Sequence, residues 1–203
     1  VAATKTYTAQ LMAIAMLSAG MASDEERLDA LAGVGPAVAQ TLADNPLELV
    51  GPVAERYRYM EQCVVLGRGY NYATAHEWSL KLKELTYVVA EPYSSADFKH
   101  GPIAIVERGF PVLAVIPSGR VSADLLDLAQ RLETEKGAEL LVISDEDAAW
   151  RPGRRHFRIP TLPEWMSPLV AIVPAQLFTL ALTLVKNLDP EHPRGLHKVT
   201  ETT

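Results

Sequence analysis

Cysteine is almost missing: Cys63 stands alone among 203 residues, so no disulfide can form within the chain. It opens the apolar run QCVVLG, where a small buried side chain fits, and a reducing, cytoplasmic setting is expected. Runs of like charge are missing too. The 19 Lys and Arg and 25 Asp and Glu are interspersed, giving a formal net charge of -6. Nothing here attracts a phosphodiester backbone, so nucleic acid is not an expected partner. The histidines, His76, His100, His156, His192 and His197, show no spacing with a carboxylate or cysteine that builds a metal site. No metal or other cofactor is expected. There is no G-x-S-x-G elbow and no cysteine-histidine signature, which removes two familiar routes to nucleophilic catalysis.

A targeting layout is also lacking. The opening VAATKTYTAQLMAIAMLSAGMA has no cationic segment before its apolar stretch and reads as a helix of a folded protein. The longest apolar run, Pro168 to Lys186, approaches membrane-span length but carries Pro174, Gln176, Thr179 and Thr183. A buried helix is expected there and no membrane partner. Internal repeats and low-complexity linkers are absent.

What is present is 48% hydrophobic residues in a chain long enough for one good core. The pattern predicts a helix from Thr4 to about Ala22 and a second over SDEERLDALAGVGPAVAQTLAD, with Ser23 as its N-cap. Because the chain starts almost directly in a helix, Val1 reads as a cut point rather than a natural start. After Asn45-Pro46, apolar strand-like runs at CVVLG, FPVLAVIP, AELLVISD and HFRIP alternate with helical segments, one from about Thr74 to Tyr87 and one over SADLLDLAQRLETEKG. Such alternation predicts a doubly wound α/β domain with a parallel sheet covered on both faces. The tail LDPEHPRGLHKVTETT has no apolar periodicity.

Single residues leave their meaning open. Arg68, in the glycine-bearing loop LGRGYNYATA, could hold a phosphate or pair with a nearby acid. Lys81 and Glu84 share a helix face, either as a surface ion pair or as a proton shuttle walled by Leu80, Leu82 and Leu85. His100 lies in FKHGP, where Gly101-Pro102 holds the chain in a loop suited to a general acid or base.

Together, these pieces resemble a known family. LKLKELTYVVAEPYSSADFKHGPIAIV, with VAATKTYTAQL upstream and DPEHPRGLHKVTETT at the end, closely resembles the sugar-isomerase (SIS) domain family, whose members include the isomerase part of glucosamine-6-phosphate synthase and stand-alone aminosugar-phosphate deaminases. The ordered set Lys81, Glu84, His100-Gly101-Pro102 and a late lysine carries the likeness, which covers essentially the whole chain. It implies a SIS-type parallel sheet between helices, with residues 1–45 as the closing helices of a preceding SIS domain, 46–188 as a second SIS domain and 189–203 as an active-site tail. The family's Ser- and Thr-rich S-x-S-G-x-T phosphate loop does not occur in this sequence.

The resemblance also implies a chemistry: aldose-ketose interconversion of a hexose 6-phosphate with nitrogen added at or removed from C2. Glu84 would be the base between C1 and C2, and Lys81 its assistant at the sugar oxygens. His100 would act in ring opening from across a homodimer interface, and Lys198 would form a Schiff base with the keto sugar. Val1 and His197 would lie along the substrate, His197 in place of a small residue. The ending HKVTETT resembles the stand-alone deaminases more than the synthases, so a deaminase or isomerase is expected first. The synthase isomerase domain and a non-catalytic sugar-phosphate sensor are the alternatives.

Overall fold

A computed structural model describes residues 3–196. Its centre is a five-stranded, wholly parallel sheet in the order β2-β1-β3-β4-β5. The strands are β1 (Gln62–Gly67), β2 (Val89–Ser94), β3 (Pro111–Val115), β4 (Glu139–Ser144) and β5 (Arg155–Arg158). Around them run α1 (Lys5–Met21), α2 (Glu25–Ala30), α3 (Val34–Asp44), α4 (Leu47–Arg56), α5 (Tyr72–Thr86), α6 (Ser95–Phe98), α7 (Ser122–Glu135) and α8 (Ser167–Val185).

The near-continuous apolar strands bury both faces, as expected where helices cover both sides of a parallel sheet. Alternate residues serve opposite cores: Cys63, Val65, Leu113, Val115, Leu141 and Ile143 join Trp78, Leu82 and Phe178, from α5 and α8, on one face. Val64, Leu66, Val112, Ala114, Leu140 and Val142 join Leu125, Leu128 and Leu132 of α7 on the other. Each such fully buried Leu or Phe contributes about 1.5–3 kcal/mol relative to exposure. The apolar run at Pro168 is α8, most of it buried inside the fold as expected. Its Thr179 and Thr183 hydroxyls donate to the Ala175 and Thr179 carbonyls at 2.8 and 2.7 Å, so they sit in the core without an unmet hydrogen bond.

The structure corrects two local expectations. The cap of the second helix is Asp24, whose carboxylate accepts from the Arg27 amide at 3.0 Å, while Ser23 turns the chain in the left-handed region at φ 51°. That helix then breaks at a 3-10 turn, Leu31–Gly33, before α3. Three elements went unforeseen, the four-residue α6 among them. LELVGPVAER is α4, held by buried Val50 and Ala54 despite Gly51 and Pro52. VAEPYS is β2, and its place at the sheet edge is what lets Pro92, opposite Val65, go without a ladder donor.

Connectivity then places the chemistry. A crossover helix in a parallel sheet starts at the strands' carboxyl edge and returns the chain to the amino edge. The last turns of α5, carrying Lys81 and Glu84, therefore lie at the amino edge, before β2 starts at Val89. His100 follows β2 and α6 and lies at the carboxyl edge. Helix α1 runs antiparallel to α5: Tyr7 shares a cleft with Glu77, while Leu11, Ala15 and Ser18 face Tyr70 and Ala73. The start of α1 thus points toward the Lys81–Glu84 end.

Candidate active site

Helix α5 carries two stripes at helical spacing. Trp78, Leu82 and Leu85 are buried toward the sheet and tie the helix down. Glu77, Lys81 and Glu84 form the neighbouring stripe, four and then three residues apart. Lys81 Nζ lies 2.6 Å from Glu84 Oε2 and donates to it. It stands 3.6 Å from Glu77 Oε1, an ion-pair contact too long for a hydrogen bond. Lys81 is 4% exposed, so this is not the solvated surface pair the spacing alone allows.

Glu77 was not read from the sequence, although its place one turn before Lys81 is visible there. Its Oε1 is buried with no hydrogen-bond partner among the described residues. Burial pushes its carboxyl pKa up, and the Lys81 ammonium partly offsets this. Tyr7 of α1 packs nearby, its hydroxyl also buried and unpartnered among the described residues, and burial raises its pKa as well. Tyr7, His76, Glu77, Leu80, Lys83 and Pro92 border a cleft of about 430 Å³. Of the stripe only Glu77 borders this cleft; the two carboxylates and one ammonium themselves form a semi-dry cluster able to take, hold and return a proton.

His100 is exposed, and the chain does not bring it to this stripe. The six residues of β2 alone span roughly 20 Å between the two edges. At the carboxyl edge the Arg68 question resolves into pairing: Arg68 Nη1 lies 2.7 Å from Asp124 Oδ2, and Lys99 Nζ lies 2.5 Å from Oδ1 of the same carboxylate. The Lys99 hydrogen bond is the main cause that lowers the Asp124 pKa, with Ser95 adding a second. The crevice where a doubly wound sheet ordinarily takes its ligand thus has Arg68 already engaged by an acid.

Val1, His197 and Lys198 lie outside the described residues. The tail up to Leu196 is described, and it returns to the end of α5: the Arg194 amide donates to the Tyr87 hydroxyl at 2.8 Å, with the guanidinium 3.8 Å from the ring centroid. Neither residue was singled out in the sequence. Among the described residues, no group of three or more His, Cys, Asp or Glu side chains is placed to hold a metal ion. A second cleft of about 270 Å³, between α1 and α8, is lined mainly by apolar residues such as Leu11, Ile14, Trp165 and Leu169.

A five-stranded parallel sheet between helices, with a half-buried acid-base stripe at the sheet's amino edge as its candidate site, defines an α/β domain. The SIS domain model matches residues 58–186, and the chain belongs to that family. Over 200 residues it is 36% identical to a glutamine–fructose-6-phosphate aminotransferase of Aquifex aeolicus, covering 98% of this chain and 33% of that protein. The chain thus spans about a third of the length of the curated relatives it matches. The C-terminal domain of glucosamine-fructose-6-phosphate aminotransferase from Francisella tularensis superposes with a TM-score of 0.85 at 26% identity, over 93% of this chain and 55% of that one. A glucosamine-6-phosphate deaminase from Thermotoga maritima shares the fold at 22% identity and a TM-score of 0.69, over 97% of this chain and 56% of that one.

Proposed function

We propose that this chain is the C-terminal part of a hexose 6-phosphate aldose-ketose isomerase that adds or releases nitrogen at C2, interconverting fructose 6-phosphate and glucosamine 6-phosphate. The observation that carries this reading is the buried Lys81–Glu84 pair at the end of α5, where the C-terminal tail also returns. In the proposed chemistry the amine of Lys198 condenses with the C2 carbonyl of the keto sugar, and water leaves. Ammonia then displaces Lys198 at C2, freeing its amine, and the C2 imine so formed lowers the cost of removing the C1 proton; run backward, the same exchange releases ammonia. Glu84 takes that proton and returns it at C2, with Lys81 steadying the sugar oxygens. Val1 and His197 line the substrate.

His100 is proposed to act from the partner subunit of a homodimer. Its position at the opposite edge of the sheet from Glu84 supports this, because one chain cannot supply both groups to one small substrate. Residues 1–45 are proposed to close a preceding SIS domain, residues 46–188 to form a second one, and 189–203 to serve as the tail. Exposed Ile14, Leu17 and Met21 on α1, at 63%, 64% and 80% exposure, support a face covered by further chain. The phosphate grip is assigned to that further chain.

Within this reading, the ending HKVTETT supports a stand-alone deaminase. The 36% identity to a glutamine–fructose-6-phosphate aminotransferase supports the glutamine-dependent alternative. Ammonia release from glucosamine 6-phosphate, set against glutamine-dependent synthesis, separates them in the full-length protein. The shared core of both is tested by borohydride reduction with fructose 6-phosphate. A stable sugar adduct on the Lys198 peptide is expected, and a tail peptide of unchanged mass under saturating sugar rejects the imine.

A further inference from the structure

We infer that Tyr87 and Arg194 are positioning residues, which dock the C-terminal tail on the end of α5 and so set the distance between its nucleophilic amine and the Lys81–Glu84 pair. The inference rests on the proposed role of Lys198.

Tyr87 follows α5 directly, three residues beyond Glu84, and holds the left-handed conformation at φ 59° that helix ends usually give to glycine. That conformation turns the backbone out of the helix just where the tail arrives. The tail from Asp189 is a chain of local turns: Asp189 Oδ1 accepts from the Glu191 and His192 amides at 2.8 and 3.3 Å, and the Leu196 amide donates to the Pro193 carbonyl at 3.3 Å. Turns of this kind shape a segment but do not fix it to a fold. Among the described residues, the tail's only polar contacts with the rest of the protein are at Tyr87, which uses both its hydroxyl and its ring. A planar guanidinium suits the ring face in a way that an ammonium does not.

Lys198 follows Arg194 by four positions and follows Val185, the end of α8, by thirteen. Idealised as random coils, chains of four and thirteen residues have r.m.s. reaches of roughly 11 and 20 Å. Because local concentration falls as the −3/2 power of tether length, releasing the dock dilutes the amine about six-fold around the site.

The test uses the full-length protein with fructose 6-phosphate, following borohydride-trapped adduct on Lys198 alongside kcat and KM. In Arg194→Ala and in Tyr87→Phe, trapping is expected to slow by at least about two-fold and up to about six-fold, with kcat falling in parallel and KM within two-fold. Arg194→Lys is expected to recover only part of the loss. Wild-type trapping rates in both Arg194→Ala and Tyr87→Phe, with Lys198 still trapped, overturn the docking role and leave the site intact. A rise in KM at unchanged kcat overturns it as well, since the tail then serves binding. No adduct in the wild type instead removes the role of Lys198 itself, and the docking role with it.

Discussion

Lys81 Nζ donates to Glu84 Oε2 at 2.6 Å from a side chain that is almost wholly out of solvent, and the Glu77 carboxylate stands on its other side at 3.6 Å. A surface lysine at the same spacing would be worth a few tenths of a kcal/mol. Here the pair sits at the core boundary, so removing one member leaves charge without a counter-charge. Lys81→Met is predicted to cost about 3–5 kcal/mol at neutral pH, measured by urea unfolding, with a smaller cost at acid pH as the orphaned carboxylates protonate. A loss below about 0.5 kcal/mol contradicts the buried-pair account.

Glu77 gives a pH signature of its own. Its folded pKa is raised by burial, so its contribution to stability is fully present below the unfolded pKa and is lost as pH rises through the folded value. Glu77→Gln removes that titration. The stability of wild type relative to Glu77→Gln is predicted to fall as pH rises from 4 toward 7, by denaturant midpoints at matched ionic strength. A pH-independent difference argues against a desolvated carboxyl.

Asp124 has the opposite sign. Lys99, then Ser95 and Arg68, hold its pKa below the ordinary carboxylate value, so its contribution is present above the unfolded pKa and lost as pH falls through the folded one. Asp124→Asn is expected to be less stable than wild type at pH 7, with the gap closing in strong acid. Added salt should narrow the gap too, because the cluster is partly exposed.

Cys63 lies in β1 at 2% exposure, and burial pushes its thiol pKa far up. Native protein is predicted to react with a thiol reagent such as dithionitrobenzoate only as fast as it unfolds. Rapid native reaction would place the thiol elsewhere than in the sheet core.

The shared-site proposal has a mixing test. His100→Asn and Glu84→Gln homodimers are each expected to be inactive, yet remixing subunits should restore about a quarter of wild-type activity, because half of the dimers are hybrids with one intact site. No recovery after verified exchange places both residues in the same subunit's site.

Much of the fold was legible because a parallel sheet buried on both faces writes its strands as unbroken apolar runs, and β1, β3 and β4 are of that kind. The edge strand β2 was not legible, since Glu91 and Pro92 are permitted only by its position in a sheet that local sequence does not reveal. The site divides in the same way. Lys81 and Glu84 show themselves through helical spacing, but their burial depends on packing from other elements. Tyr87 and Arg194 meet across 107 residues, and Arg68 finds Asp124 across 56, distances over which no periodicity operates.

The central claim is that Glu84 moves the proton. The most direct measurement is the rate at which full-length Glu84→Gln, shown by circular dichroism to be folded, converts fructose 6-phosphate to its aldose isomer relative to wild type. The predicted result is a loss of about 10²–10⁴-fold, the usual worth of a general base, with sugar-phosphate binding retained. Conversion within two-fold of wild type contradicts the account.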